Sequence, residues 1–232
     1  MRYIAIERPD HSVRAPADCT EWTALLARGG YDYVAINTDR QALAMSHSPH
    51  KIQIGEQITH GLGAGGNPDI GRQAAMDSVA DLEAPLDGCD LLFLVVGLGG
   101  GTGTGAVPVI AQMARERNIL TVCIATTPFD FEGQKRKAQA LEGLRLVDEH
   151  ADTVIVAPND KLFQVADLNG SMKEAFDFTN DILAEGVQCI VRLISRTGMI
   201  NLDFADVRTI VSRGGRAALG YAVGTGPGSA VE

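Results

Sequence analysis

Residues 97–105 read "GLGGGTGTG" and follow the apolar run "DLLFLVV" of residues 90–96. Glycine and threonine fill every position of the stretch except Leu98. The composition alone would suit a slack linker, but the neighbours do not. The run before it is short, continuous and apolar, as expected of a strand buried on both faces of a parallel sheet. The segment after it, "AVPVIAQMARERN", sets Val107, Ile110, Met113 and Ala114 at helical spacing. Pro108 is tolerated only near the start of such a helix, where its missing N–H has no intrahelical acceptor. The glycines therefore join the end of a strand to the start of a helix. That junction offers unpaired N–H groups and the positive end of a helix dipole, which suit a phosphate.

The same alternation extends in both directions. Residues 3–6, 31–37, 50–54, 90–96, 119–126 and 152–158 read as strands, the third being the weakest. Residues 18–28, 69–83, 104–117 and 133–149 read as helices, and Asn67-Pro68-Asp69 is a start signal for the second of them. Alternating strands and helices predict βαβ units, a mostly parallel sheet and helices on both faces. Ligands bind such sheets beyond the carboxyl ends of the strands, at a switch point. Residues 172–195 place Phe176, Asn180, Leu183, Val187, Ile190 and Ile194 on one face, which predicts a long helix crossing the sheet. A turn, a short loop with two acids and another helix follow. The end of the chain, "ALGYAVGTGPGSAVE", is one apolar segment and a Gly/Ser tail.

The chain has 232 residues, 45% of them hydrophobic, enough for one large domain or two small ones. Charged residues make up 21%, which predicts a globular chain. The net charge of -9 argues against a general nucleic-acid binder or a dock on anionic lipid. It leaves room for a nucleotide held by backbone N–H groups. Cys19, Cys89, Cys123 and Cys189 are scattered, with no CxxC, and read as reduced thiols of a cytoplasmic protein. No apolar run approaches the ~18 residues of a membrane span. The N-terminal "MRYIAIERPD" lacks the long apolar region of a signal peptide.

Two dinucleotide-style patterns occur. Residues 61–66, "GLGAGG", follow a polar stretch and not a strand, so as a nucleotide fingerprint they lack the required context. Residues 101–106, "GTGTGA", have the right context. A nicotinamide site, however, wants an acid ~20 residues on, and the next strand ends in Thr126-Thr127-Pro128. No GxxxxGK[ST] is present.

"GGGTGTG" at residues 99–105 is similar to the signature loop of the tubulin/FtsZ family. The likeness continues through "AINTDRQAL" (35–43), "LGAGGNPDIGR" (62–72), "PFDFEGQKR" (128–136), "VAPNDKL" (156–162), "EAFDFTNDIL" (174–183) and "GMINLDFADVRTI" (198–210). Their order and spacing resemble bacterial FtsZ over roughly residues 31–225. The resemblance implies an α/β three-layer, Rossmann-like GTPase domain with strand order 3-2-1-4-5-6. It divides the chain into a nucleotide-binding domain (1–171), a central helix with synergy loop and following helix (172–212), and the start of a second domain (213–232).

The resemblance also assigns roles. Gly100, Gly101, Thr102, Gly103 and Thr104 would hold the phosphates of GTP or GDP through N–H and hydroxyl groups. Ala64, Gly65 and Gly66 would face the γ-phosphate. Glu132 and Arg136 would contact the ribose. Asn159, Asn180 and Asp181 would lie near the guanine edge, with Phe176 stacked on the base. The chemistry agrees, because guanine offers an N1–H and an NH₂ that want carboxylate or amide oxygens, and a base suits an aromatic face. Taken singly, each residue has a plainer explanation: Phe176 as core, Asn180 and Asp181 as a solvated helix face, Glu132 as a dipole partner. Asn201, Asp203 and Asp206 resemble the synergy loop, whose acids complete the site of the next subunit in a head-to-tail filament. Asp203 and Asp206 equally suit the start of the helix that follows. Mg²⁺ is implied only as the usual companion of GTP.

Two departures from the family stand out. No glycine occurs between Met1 and Gly29, where the family has a glycine-rich loop after its first strand; here the segment is "ERPDHSVRAPADC". Pro9 and Pro16 lack N–H donors, and residues with a Cβ keep the backbone away from a ligand. This predicts weakened GTP binding or none. The chain also stops near the start of the family's second domain, as a fragment or a reduced paralogue would. Two functions follow: a self-assembling, GTP-hydrolysing division protein, or a non-catalytic regulator that caps intact FtsZ filaments.

Overall fold

The computed structural model describes residues 3–7, 32–46, 48–161, 187, 204–212 and 214–217. Among them, seven strands form one sheet: β1 (Tyr3–Glu7), β2 (Asp32–Asn37), β3 (His50–Gln53), β4 (Leu91–Gly97), β5 (Leu120–Thr127), β6 (Thr153–Pro158) and β7 (Gly215–Ala217). The order is β3-β2-β1-β4-β5-β6-β7, and every neighbouring pair is parallel. The chain steps outward from β1 to β3 on one side, then returns to β4 and steps outward on the other. The switch point lies between β1 and β4, where their carboxyl ends open a crevice.

The helices are α1 (Arg40–Met45), α2 (Glu56–Thr59), α3 (Pro68–Asp77), α4 (Val79–Leu86), α5 (Thr102–Glu116), α6 (Gln134–Asp148) and α7 (Phe204–Val211). Alternation along the strands sorts the core into two layers. Leu92, Leu94 and Val96 of β4, with Cys123 and Ala125 of β5, face one side and pack against α3, α4, α5 and α6. Leu91 and Phe93 of β4, with Val122 and Ile124 of β5, face the other side and pack with Val187, Phe204 and Val211. Phe93 and Leu92 are fully enclosed, and burying a side chain of this size contributes about 1.5–3 kcal/mol. Val187, predicted to lie on the apolar face of the long helix, is helical and buried against this second layer. The rest of that helix, the predicted helix 18–28 and the apolar segment after residue 217 lie outside the described residues.

Two expectations are corrected. The predicted helix 69–83 is two helices meeting at Ser78, whose φ and ψ (-112°, 23°) leave the helical region. Its hydroxyl is used elsewhere, accepting from the Gly55 N–H at 3.0 Å. The helix predicted to begin near residue 104 begins at Thr102, so Pro108 sits in its second turn and not at its edge. Asn67 caps α3 as its sequence signal implies, its side chain accepting from the Asp69 N–H at 3.0 Å.

The contact between α3 and α5 sets the site's shape. A Cβ on Gly105 would lie 2.0 Å from the Pro68 carbonyl oxygen and 2.5 Å from the Arg72 nitrogen. A Cβ on Gly71 would lie 2.2 Å from the Gly101 carbonyl oxygen. Only glycine lets these two backbones touch. Their closeness brings the loop before α3 against the loop before α5.

Candidate functional site

Two glycine loops meet at the carboxyl edge of the sheet. The first, residues 97–101, joins β4 to α5. Its path is fixed from within: the Leu98 N–H donates to the Thr126 carbonyl at 2.9 Å, and the Gly99 N–H donates to the Thr104 Oγ1 at 2.9 Å. The Thr104 hydroxyl is thus committed inside the protein, where it braces the loop. Gly101 precedes α5 with no side-chain cap. The first N–H groups of a helix have no intrahelical acceptor, so Thr102, Gly103 and Thr104 keep donors at the positive end of the α5 dipole. Such a terminus attracts an anion.

The second loop, residues 61–67, follows α2 and precedes α3. At its base the Arg40 N–H donates to the Gly61 carbonyl at 3.0 Å, and the Asn67 N–H donates to the Ala64 carbonyl at 3.0 Å. Ala64 is buried, while Gly65 and Gly66 are exposed with φ of +58° and +70°. A Cβ on either would meet nothing within 4 Å. These two glycines are therefore required by backbone conformation, with open space beside them. The loops touch where a Cβ on Gly101 would come within 2.8 Å of both the Ala64 Cβ and the Asn67 nitrogen.

The β5–α6 connection supplies the third wall. The Phe129 N–H donates to Glu132 Oε1 at 2.8 Å, and Arg136 Nη1 donates to Glu132 Oε2 at 2.6 Å. Glu132 therefore holds the turn and orients Arg136, whose guanidinium remains half exposed. The fourth wall is the end of β6. The Asp130 N–H donates to Asp160 Oδ1 at 3.0 Å, and Lys137 forms ion pairs with Asp130 and Asp160, which ties this wall to the third. Asn159 is 5% exposed, and its Oδ1 is buried without a hydrogen-bond partner. A buried amide oxygen left unpaired is costly, and a ligand N–H relieves that cost.

The arrangement gathers Ala64, Gly65, Gly66, Gly100, Gly101, Thr102, Gly103, Thr104, Glu132, Arg136 and Asn159 at one edge. Phe176, Asn180, Asp181, Asn201 and Asp203 lie outside the described residues. Asp206 belongs to a different element. It lies in the first turn of α7, which packs on the second face of the sheet and is tied to the amino ends of β5 and β6. There the Arg208 Nη2 donates to the Asn118 carbonyl at 2.8 Å, and the Thr153 Oγ1 donates to the Val211 carbonyl at 2.7 Å. Strand β5 runs between the edges with eight residues, a span of about 26 Å.

Sequence reading missed two residues here. Thr38, fully buried just past β2, has its Oγ1 2.6 Å from the Thr102 Oγ1. Its place at the carboxyl end of a parallel strand was the signal available. Gln139 of α6 donates from Nε2 to the Gly66 carbonyl at 3.1 Å. No sequence pattern announces a contact across that separation.

Among the described residues, no group of three or more His, Cys, Asp or Glu is placed to hold a metal ion. No helix among them is long and apolar enough to cross a membrane. The fit to a nucleotide rests on the open glycine cradle, the uncapped start of α5 and the unpaired Asn159 oxygen.

Comparison with known proteins agrees with this architecture. Residues 24–167 match the tubulin/FtsZ family GTPase domain. The empty FtsZ dimer of M. jannaschii is similar at 40% identity and a TM-score of 0.83, over 93% of this chain and 61% of that one. CetZ2 from Haloferax volcanii, solved as a GTPgS-bound protofilament, shares the fold at 24% identity and a TM-score of 0.77, over 93% and 64%. CetZ1 from the same organism, a GDP-bound monomer, shares it at 19% and 0.76, over 93% and 66%. The present chain thus spans 61% of the M. jannaschii FtsZ chain. A strand order with one switch point, two glycine loops at that point, and a family match over more than half the sequence lead to one conclusion: the chain belongs to the tubulin/FtsZ family.

Proposed function

We propose that this chain binds GTP and GDP at the carboxyl edge of its sheet and assembles head to tail into a filament of the FtsZ type, in the cytoplasm of a dividing bacterial cell. Gly100, Gly101, Thr102, Gly103 and Thr104 hold the phosphates, Thr104 through its N–H. Ala64, Gly65 and Gly66 face the terminal phosphate. Arg136, oriented by Glu132, reaches the ribose. Asn159 accepts from the guanine edge, together with Asn180, Asp181 and Phe176. Mg²⁺ accompanies the phosphates.

The observation that carries this reading is the position of Asp206. It lies in the first turn of α7, whose Arg208 and Val211 bond to Asn118 before β5 and Thr153 of β6, at the amino ends of those strands and away from the glycine loops. Its carboxylate serves hydrolysis only when a second copy stacks so that the amino edge of one faces the carboxyl edge of the next. Interfaces with two different faces propagate as open filaments unless they close. Asn201, Asp203 and Asp206 then orient the attacking water for the neighbour, and hydrolysis is tied to assembly.

Titration calorimetry with GTP and GDP, followed by phosphate release against protein concentration, tests this. Micromolar binding with turnover that rises more steeply than concentration supports it; turnover strictly proportional to concentration contradicts it.

A second reading is favoured by one observation, the absence of any glycine between Met1 and Gly29. On that reading the chain binds nucleotide weakly or not at all, and caps intact FtsZ filaments through its amino edge. Absence of turnover alone, with shortened filaments when mixed with intact FtsZ, would select it.

A further inference from the structure

Helix α6 touches both glycine loops from one face. Arg136, Gln139 and Gly143 recur at steps of three and four, so they line one side of the helix. A Cβ on Gly99 would lie 2.9 Å from the Arg136 carbonyl oxygen, and one on Gly143 would lie 2.5 Å from the Thr104 Cγ2. These two contacts press α6 onto the loop before α5 and onto the first turn of α5. Between them Gln139 reaches the other loop and donates to the Gly66 carbonyl at 3.1 Å.

The two loops are held very differently. The loop before α5 is buried and tied by hydrogen bonds to Thr126 of β5 and Thr104 of α5. The 61–67 loop is pinned at its base by Arg40, by the Asp39–Leu62 bridge and by the Ala64–Asn67 turn. Its tip, Gly65-Gly66, is exposed, and a Cβ there would meet no atom within 4 Å. Among the described residues, the Gln139 amide is the one hydrogen-bond donor that reaches this tip from another element. A pair of glycines without packing neighbours has many conformations to lose, so one directional contact strongly affects where their N–H groups point.

We infer that Gln139 is a positioning residue that sets the Gly65-Gly66 tip for the terminal phosphate of a guanosine triphosphate. It thereby contributes to discrimination between triphosphate and diphosphate. The inference rests on the function proposed above and adds to it a residue that contacts no ligand atom. It predicts a selective effect, because a diphosphate held by the α5 loop does not reach the tip.

The test uses Gln139→Ala and Gln139→Glu. Both replacements are good helix formers, so α6 should keep its stability. Glu has the same shape as Gln but sets an acceptor against the Gly66 carbonyl. Affinities for GDP and for a non-hydrolysable GTP analogue are measured by calorimetry, and amide exchange over residues 64–67 is followed in the free protein. One lost hydrogen bond predicts about threefold weaker analogue binding for Gln139→Ala and up to about tenfold for Gln139→Glu. GDP affinity and melting temperature should stay unchanged, and exchange over 64–67 should quicken. Equal losses for both nucleotides, or no loss for either, would overturn the inference. If the wild-type protein binds neither nucleotide, the proposed function fails, and the exchange experiment alone decides: faster exchange supports the hold on the loop, and unchanged exchange refutes it.

Discussion

The two edges of this sheet are built from the same strands and do opposite things. At the carboxyl edge lie two glycine loops, one of them open at Gly65-Gly66, a buried amide oxygen without a partner, and a helix start with no side-chain cap. Among the described residues at the amino edge, polar groups pair with one another: the Asn118 carbonyl accepts from Arg208, and the Val211 carbonyl accepts from Thr153. The Thr121 N–H there donates to Asp152 Oδ2 at 2.8 Å. One edge offers free donors and an unpaired acceptor, while the elements tied to the other include α7, with the exposed acid Asp206 in its first turn. On the function proposed above, the difference means that neither edge is a complete catalytic site and that each supplies what the other lacks.

The largest effect that sharpens this contrast is Asp206→Ala. We predict a loss of GTP turnover of about 10²–10⁴-fold with nucleotide affinity unchanged, and no more than about 1 kcal/mol of stability lost with the first-turn acid of α7. Loss of nucleotide affinity would show that the two edges are not separate. Next is Gly105→Ala, which puts a Cβ 2.0 Å from the Pro68 carbonyl oxygen. Denaturant titration should show a cost of about 3 kcal/mol, at the upper end for overpacking, because backbone must move on both helices. An unchanged midpoint would break the claim that α3 and α5 fix the two loops together.

A third prediction concerns the layer beneath both edges. Burial, with the Asp148 charge as the lesser cause, pushes the Cys123 thiol from 9.0 up to about 12. Between those values the unfolded chain releases a proton that the folded chain keeps, so stability should fall as pH rises through that window. The slope reaches about 1.4 kcal/mol per pH unit, readable in denaturant midpoints, and Cys123→Ala should flatten it. The smallest effect is Gly65→Ala. It meets no steric obstacle but must adopt a positive φ, and it should cost about 1 kcal/mol. The contrast with Gly105→Ala separates a glycine kept for its conformation from one kept for its closeness.

Much of the fold was legible because strand burial leaves a plain mark. The run Leu91–Gly97 is apolar at nearly every position, and it forms a strand with both faces covered. The capping role of Asn67 was also readable, because that chemistry is local. The break at Ser78 was not, since it depends on a hydrogen bond from Gly55, and neither were the short helices α1 and α2. In the candidate site, the residues clustered along the chain were marked by their pattern and by the family resemblance. Thr38 and Gln139 were missed because their partners, Thr102 and Gly66, come from distant segments that only the folded sheet brings together. The inward turn of the Thr104 hydroxyl is likewise a tertiary fact, decided by the Gly99 N–H.

The central claim is that one working site is made from two copies, and a mixing experiment tests it most directly. Asp206→Ala keeps the glycine edge and loses the acid. Gly65→Ala combined with Gly66→Ala keeps the acid and damages the cradle. Phosphate release is measured for each variant alone and for equal mixtures at constant total protein. We predict low turnover for each variant alone and clear recovery in the mixture, where the acid of one copy meets the intact cradle of the other. A mixture no more active than the mean of its two components would contradict the account.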